Sequence, residues 1–381
     1  MKKILLGTTL LAASAFGAQA GGLDRSGQDM GILFEAGNKF ELSFGHARPN
    51  LDGVENGSTG TRNTIGNVGS SFNVLSGALR YEFSPVLAVA VIVDHPYGAD
   101  VFYPGGNLTS ALGGTSATVN SYAITALARY KFNDAFSMHG GLRYQEIESE
   151  VNLRGLAYGG LNGYRGEFGS DGAFGYVIGA AFERPEIALR VALTYNSKIT
   201  HDQATRETLN GVVQTIPGST GITEVVTPES LNLDLQTGIA ANTLLFGSVR
   251  YARYSDTIVS PSFFDAAVPG PDSSITSIED STDYEIGIGR RFNEQFSGSV
   301  AIGYQSSGTD SLVSPLAPTN GARYVSLGAA YVLSDAVTLS GGIRYTLFGN
   351  AQPETGTPDV ARADFDDNSA VSAGFKISYS F

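Results

Sequence analysis

The sequence predicts an all-β protein: a transmembrane antiparallel β-barrel of about 14 strands, preceded by a short N-terminal plug or tail. Three features predict it: an export signal, apolar and polar residues that alternate to the last position, and connections that alternate between short and long. Such alternation suits strands with one face toward lipid and the other toward a lumen. We expect a signal peptide at residues 1–20, the plug or tail at 21–37 and the barrel at 38–381.

The first 20 residues have the three parts of a secretory signal. The chain begins with the basic sequence Met-Lys-Lys, residues 4–16 are apolar, and Ala18-Gln19-Ala20 is a small-residue cleavage site. The apolar stretch is shorter than the roughly 20 residues that a membrane-spanning helix needs. We therefore expect cleavage after Ala20 and export in a Gram-negative cell.

Composition excludes several classes of protein. The chain has no cysteine, so neither a disulfide nor a thiolate metal site can stabilise it. Loss of Lys2 and Lys3 with the signal leaves 22 basic residues against 37 acidic ones, a net charge of 22 − 37 = −15, which argues against a nucleic-acid partner. After residue 20 no apolar stretch has the length of a membrane helix, which excludes a helical membrane protein. A membrane barrel is not excluded, because its alternating strands average to neutral hydropathy.

The C-terminal segment alternates up to the final residue. Polar or small residues occupy every second position, and the positions between them are Val371, Ala373, Phe375, Ile377, Tyr379 and Phe381. A soluble sandwich rarely ends on an exposed aromatic side chain, whereas outer-membrane barrels resemble this pattern. The same period of two recurs at residues 75–83, 122–132, 187–195 and 337–345.

Connections between these segments alternate in length. Short turns are expected at residues 83–86, 133–135, 183–186, 241–243, 293–295 and 334–336. Long external loops are expected near residues 49–70, 98–117, 152–171, 198–222, 255–275, 306–321 and 348–365. These connections join an even number of strands, and closure of the barrel pairs every strand edge that lipid would otherwise meet.

Tyrosines lie where two interfacial girdles would be. Tyr81 and Tyr130 precede short turns, and five others lie several residues along the returning strands: Tyr144, Tyr195, Tyr251, Tyr304 and Tyr345. The β-propensity of tyrosine explains its presence in strands but not these positions. The pattern favours a membrane barrel.

Several short motifs occur in a characteristic order: RVALTYNS at residues 190–197, His201, PES at 228–230, and strand segments at 244–254 and 322–331. In order and spacing they resemble the FadL-type long-chain fatty acid transporters and their relatives that take up aromatic hydrocarbons. The resemblance implies a monomeric barrel that passively carries a long-chain fatty acid or similar hydrophobic molecule and has no cofactor. Its other partners would be outer-membrane lipid, lipopolysaccharide and the barrel assembly machinery.

The resemblance also assigns a lateral opening to the third strand, at His95, Pro96, Tyr97 and Gly98. Proline donates no ladder hydrogen bond and glycine tolerates bulge dihedrals, so the pair can interrupt strand pairing. An apolar cargo could leave sideways into hydrocarbon, with a gain of about 0.8 kcal/mol per buried CH₂. The alternative is that Pro96 and Gly98 begin the second external loop.

For ligand entry, the resemblance points to a groove between the third and fourth external loops. Its candidate residues are Leu156, Tyr158, Leu161, Tyr164, Val212 and Ile216. Mutual packing of these apolar side chains over the barrel is the alternative.

The predicted plug is short, because the family's Asn-Pro-Ala motif is not recognisable at residues 21–37. Leu23, Arg25 and Phe34 are the candidates to enter the lumen. A disordered periplasmic tail is the alternative.

Inward-facing arginines have two interpretations. Four of them could receive a carboxylate head group: Arg143, Arg190, Arg250 and Arg344. Alternatively, the inward arginines pair with inward acids such as Glu82, Glu146 and Glu285 and fill the barrel with ion pairs.

Catalysis is not expected. The four histidines are scattered and none lies in a nucleophile motif or in a metal-ligand spacing. We therefore expect no enzyme, no metal site and no cofactor. Two alternatives to a hydrophobic-molecule carrier stay open: a general diffusion porin for small polar solutes, and an adhesin whose loops bind partners.

Overall fold

Fourteen antiparallel strands form the wall of a closed barrel in the computed structural model, which describes residues 23–268, 270, 273–356 and 358–381. The strands are β1 (Lys39–Asn50), β2 (Phe72–Ser84), β3 (Leu87–Asp94 and Gly98–Phe102), β4 (Ser116–Lys131), β5 (Phe136–Leu153), β6 (Tyr164–Arg184), β7 (Leu189–Asn196 and Ile199–Leu209), β8 (Ile222–Thr227 and Ser230–Ala240), β9 (Thr243–Ala252), β10 (Ser281–Arg291), β11 (Phe296–Gln305), β12 (Ala322–Val332), β13 (Val337–Phe348) and β14 (Ser369–Ser380). The predicted signal peptide at residues 1–20 lies outside the described residues.

Each strand pairs with its neighbours in the chain, and β1 pairs with β14 from Lys39↔Ser380 to Asn50↔Ser369. This last pairing closes the sheet, so the predicted fold of about 14 antiparallel strands is confirmed. None of the described helices is long and apolar enough to cross a membrane.

The predicted alternation sorts side chains between the two faces of the wall. Along β14, Phe375, Ile377 and Tyr379 are exposed on the outside, whereas Ser372 and Ser378 are buried on the inside. Exposed aromatic residues form a ring beside the short turns: Tyr81, Phe83, Tyr130, Phe132, Phe136, Phe292, Phe296, Tyr331, Tyr379 and Phe381. Tyr251, Tyr304 and Tyr345 are exposed toward the opposite end, as expected for the second girdle.

Two external segments expected to be loops are largely strands. β5 continues to Leu153, β6 begins at Tyr164, and Ile199–Leu209 of β7 pairs with both β6 and Ile222–Thr227 of β8. Buried apolar residues such as Val151 and Phe168 continue the period of two, which allows the backbone ladder to extend above the membrane. The barrel wall is therefore taller on this side.

Short elements complete the fold outside the wall. The 3₁₀ helices are Gly31–Phe34, Leu156–Leu161, Pro185–Ile187 and Tyr254–Asp256, and helix α1 is Ser262–Ala267. Short strands in the loops are Gly53–Glu55, Thr64–Ile65, Val212–Gln214, Leu312–Val313, Gln352–Thr355, Val360–Ala361 and Ala363–Asp364. The first, second, sixth and seventh external loops share a hydrophobic core that includes Leu51, Val101, Leu112 and Phe365.

Candidate functional site

A bulge interrupts β3 in the outer half of the wall. The ladder between β3 and β4 has Asp94 opposite Ala123 and resumes with Gly98 opposite Asn120, so the three residues His95–Tyr97 face two residues of β4. Such an extra residue bends a strand and breaks its pairing locally. The four residues predicted to form the lateral opening all lie here, and β3 continues beyond them to Phe102.

The bulge leaves a gap between β2 and β3. Their ladder ends at Gly77↔Val93, and above it Phe72–Ser76 pairs with β1 on one edge. Among the described residues, no strand pairs with the other edge of that segment. The two chains meet again higher up, where the N–H of Ser70 donates to the carbonyl of Asp100 over 3.1 Å. Backbone pairing between β2 and β3 is therefore interrupted here, with bonded backbone above and below, and this interruption is called the gap.

Backbone groups freed at the bulge are bonded by the N-terminal segment. The N–H of Arg25 donates to the carbonyl of Pro96 over 2.8 Å, and the N–H of Gly98 donates to the carbonyl of Leu23 over 2.8 Å. Ser121 of β4 satisfies both backbone groups of Tyr97. Because a bare N–H or C=O in hydrocarbon is costly, these partners make the interrupted strand tolerable in a membrane.

The side chain of Arg25 spans the gap from the lumen side. Its Nε donates to the carbonyl of Gly98 over 2.9 Å, and its guanidinium carbon lies 3.2 Å from the centre of the Phe72 ring on β2. One side chain thus contacts both edges of the gap, through a hydrogen bond on one side and a cation–π contact on the other.

Buried polar contacts hold the rest of the plug. Asp24 is 2 % exposed and accepts a hydrogen bond from Nε of Arg250 over 2.7 Å. Gln28 accepts from Ser230 over 2.8 Å, and Ser26 donates to Asp94 over 2.6 Å. All three plug candidates therefore lie inside the barrel: Leu23 packs near Tyr97, Arg25 spans the gap, and Phe34 packs beneath two arginines.

Two of the four arginines proposed as carboxylate ligands pair with acids, and the other two contact neutral groups. Arg250 bonds Asp24, and Arg344 donates to Glu285 over 2.7 Å and lies over the ring of Tyr324. Arg190 packs on Phe34. The fourth, Arg143, donates to Thr125 over 2.9 Å.

Other inward arginines also pair with acids. Arg80 pairs with Glu82, and Arg129 pairs with Glu183. Glu146 is instead exposed and accepts from Ser170. Ion pairs therefore account for much of the positive charge inside the barrel.

The predicted entry groove is only partly assembled. Tyr158 and Leu161 line a cavity of about 770 Å³, which is formed by the third, fifth, sixth and seventh external loops. Leu156 lies in the same 3₁₀ helix but does not line the cavity. Val212, 65 % exposed, and Ile216 lie on the hairpin of the fourth loop, away from it.

Tyr164, also predicted for the groove, is buried and packs against helix α1. Its ring stacks on Phe263, and its hydroxyl donates to Glu207 over 2.9 Å. The Glu207 carboxylate also accepts from the N–H of Phe263 over 2.7 Å and of Phe264 over 2.9 Å. Sequence reasoning missed α1, although the sequence PSFFD at 261–265 offers a proline at the start and an acid in the first turn.

Replacing Glu207 with glutamine is expected to loosen helix α1. A neutral amide keeps one acceptor oxygen for three donors, so we expect a loss of about 1–2 kcal/mol of local stability. Hydrogen–deuterium exchange of residues 262–268 should accelerate by roughly tenfold, whereas Glu224→Gln, at an exposed position on β8, should leave it unchanged. Unchanged exchange in Glu207→Gln would contradict this role.

Apolar side chains link the outer cavity to the bulge. Ile278 lines the cavity and packs with Tyr254, Leu23 and Tyr97. A second cavity of about 90 Å³ lies behind the gap, and its apolar lining includes Phe72, Val74, Ala78, Ile92 and Ala373. The outer cavity, this cluster and the gap therefore lie in sequence from the cell surface to the wall.

A closed membrane barrel with an internal plug and a gap in its wall belongs to the class of outer-membrane transport channels. The chain is a member of the family described as outer membrane protein transport protein (OMPP1/FadL/TodX), which matches residues 34–381. It is a transport channel in the outer membrane and not an enzyme.

Solved structures show the same fold at low identity. A Pseudomonas aeruginosa FadL homologue is similar with a TM-score of 0.70 and 13% identity over 92% of each chain. The Pseudomonas putida toluene transporter TodX is similar with a TM-score of 0.65 and 12% identity, and the match covers 97% of this chain and 98% of TodX. The Ralstonia pickettii toluene transporter TbuX is similar with a TM-score of 0.63 and 12% identity, and the match covers 99% of each chain. No curated protein matches the sequence.

Proposed function

We propose that this channel carries long-chain fatty acids or similar hydrophobic molecules passively across the outer membrane and releases them sideways between β2 and β3. The observation that carries the proposal is the bulge at His95–Tyr97, which leaves Phe72–Ser76 unpaired toward β3. Residues 1–20 would be removed as a signal peptide, and the barrel would work as a monomer among lipid and lipopolysaccharide after insertion by the assembly machinery.

The proposed route runs from the outer cavity past Ile278 and Tyr254 to the cavity behind the gap. Arg25 stands at the end of this route. Its side chain is long and flexible, so it can move aside without any change in strand pairing. An apolar cargo that passes it is stabilised by about 0.8 kcal/mol for each CH₂ that enters hydrocarbon. A polar solute gains nothing from such an exit, which favours a carrier over a porin.

Blocking the gap chemically tests the proposal, because the natural chain has no cysteine. Val74 lines the cavity behind the gap, so Val74→Cys places a single thiol there. After reaction with a bulky maleimide, cellular uptake of radiolabelled toluene should fall more than tenfold, and any oleate uptake that the unlabelled protein supports should fall with it. The control is Ser248→Cys, which is also luminal but lies on β9 across the barrel; its labelling should change uptake less than twofold.

Binding and conductance complete the test. Purified labelled Val74→Cys should still bind ligand saturably, because the outer cavity is untouched. Normal uptake after complete labelling would exclude release through this gap. Steady ion conductance in a planar bilayer, with no saturable ligand binding, would overturn the carrier and favour a diffusion porin.

A further inference from the structure

The outer cavity combines an apolar lining with negative charge. Its apolar residues include Leu153, Tyr158, Leu161, Ile258, Phe264, Val268, Ile275 and Leu316. Three carboxylates, Asp265, Glu354 and Asp359, lie on the same surface. No lysine or arginine is found among the described residues that line it. The described lining therefore offers hydrophobic contact and hydroxyl groups but no cationic partner for an anionic group.

A smaller cavity of about 190 Å³ adjoins it and extends the acidic surface. Glu354 and Asp359 line both cavities, and the smaller one adds three acids: Glu279, Asp280 and Asp310. Here too the described lining contains no basic side chain. Some of these acids have local partners: Glu279 accepts from Thr309, and Asp280 from Tyr251.

Glu354 lies where these acids converge. Burial, followed by the charges of Asp359, Asp310 and Glu279, raises its pKa to about 7. Its Oε2 atom is buried and has no hydrogen-bond partner in the described part of the chain. Arg362, the basic residue of the same hairpin, donates instead to Thr355. An anion entering the cavity would meet Glu354 with no cation between them.

Deeper in the barrel much of the positive charge is already paired, and the cavity acts before any cargo reaches Arg143 and Arg190, which contact the neutral groups Thr125 and Phe34. Arg250 and Arg344 already have carboxylate partners, at 2.7 Å each. Arg25 is committed to Gly98 and Phe72 at the gap. A carboxylate head group would have to break an ion pair to bind Arg250 or Arg344, whereas an uncharged molecule would leave both ion pairs intact.

We propose that the outer cavity is the entry site and that it selects uncharged hydrophobic molecules against carboxylates of the same chain length. The inference rests on the proposed transport of hydrophobic molecules and narrows its cargo. Each ionised acid about 6 Å from a bound carboxylate is expected to weaken binding by roughly threefold where water screens the charges, so two such acids weaken it by about tenfold. Glu354 and Asp359, shared by both cavities, are the selecting residues.

A matched ligand pair tests the selection: 1-decanol and decanoate, which differ at the head group. The chain contains no tryptophan, so Ile258→Trp, at a 57 % exposed position on the cavity wall, provides a single tryptophan whose fluorescence can be excited apart from that of the tyrosines. At pH 8.5 this reporter should bind decanol at least tenfold more tightly than decanoate. Adding Glu354→Gln and Asp359→Asn should tighten decanoate binding about tenfold and leave decanol within twofold.

Acidification provides an independent test of the charge selection. Decanoate stays ionised at pH 6, whereas most of Glu354 becomes protonated below its pKa of about 7. Decanoate binding to the reporter should therefore tighten several-fold between pH 8.5 and pH 6. The double variant that combines Glu354→Gln with Asp359→Asn should lose most of this dependence. The control pair, Asp202→Asn with Glu224→Gln, removes two exposed external acids outside the cavity and should keep it.

The outcomes separate this inference from the proposed function. Equal affinity for decanol and decanoate, unaffected by the two substitutions, would overturn the charge selection even if labelled Val74→Cys blocks uptake. A fluorescence response to neither ligand would overturn the cavity as entry site. If labelling at Val74 also leaves uptake normal, the proposed lateral route fails independently.

Discussion

Asp24→Ala is expected to release the plug from the barrel wall without unfolding the barrel. Asp24 and Arg250 form an ion pair with side chains only 3 % and 6 % exposed. Removing one partner of a buried pair leaves the other charge uncompensated, at a cost of roughly 3–5 kcal/mol. The barrel ladder does not depend on this pair, so the loss should fall on plug docking.

Trypsin cleavage after Arg25 measures the release. In the wild-type protein the Arg25 backbone is bonded to Pro96 and should resist the protease. The Asp24→Ala variant should be cut at least tenfold faster. Its circular dichroism spectrum should keep the β-sheet signal of the wild type. Asp29→Ala is the matched control, because Asp29 is exposed in the same plug and bonds the N–H of Gly31. Equal resistance in Asp24→Ala and wild type would show that this ion pair does not hold the plug.

Gly98→Val is expected to reduce uptake of hydrophobic ligands more than tenfold while their binding changes less than twofold. A β-carbon at residue 98 would lie 2.9 Å from Nε of Arg25 and 3.2 Å from the carbonyl oxygen of Val119. The Arg25 side chain can shift, but the β4 backbone cannot. Valine methyl groups would therefore fill the inner mouth of the gap, and unlike Arg25 they cannot swing away.

Gly77→Val provides the comparison for this substitution. Gly77 lies in the last pair below the gap, and its β-carbon would meet no atom closer than the Glu41 carbonyl oxygen at 3.7 Å. Uptake by Gly77→Val should match wild type. Loss of uptake in both variants would point to a general sensitivity of β2 and β3, and full uptake in Gly98→Val would remove the lateral gap from the route.

Local patterns were sufficient to predict the barrel wall. The features that predict it depend on residues close in sequence. They are the alternation in β14, short turns such as that at Asn242, and the positions of Tyr81 and Tyr130. The position of the bulge could also be predicted from the sequence. Proline lacks an N–H and glycine tolerates bulge dihedrals, so Pro96 and Gly98 disturb strand pairing at their own positions. The sequence does not reveal the early start of β6 at Tyr164, because frequent glycines conceal the period of two, and it does not reveal the Ile199–Leu209 part of β7.

The contacts behind the gap were beyond sequence reasoning. Arg25 was identified as a luminal candidate, but its position against Phe72 depends on where β2 lies relative to β3. The outer cavity is likewise assembled from four loops, whose relative positions neither polarity nor family resemblance gives, and Val212 and Ile216 lie outside it. Helix α1 is only six residues long and is capped by Glu207, more than 50 residues earlier.

The plug contacts also set an order for assembly. Gln28 bonds Ser230 and Asp24 bonds Arg250, across 202 and 226 residues of chain. These partners belong to β8 and β9, which are synthesised long after the plug. Contacts of such high sequence separation form late and slowly. The N-terminal segment must therefore stay undocked until β8 and β9 are in place.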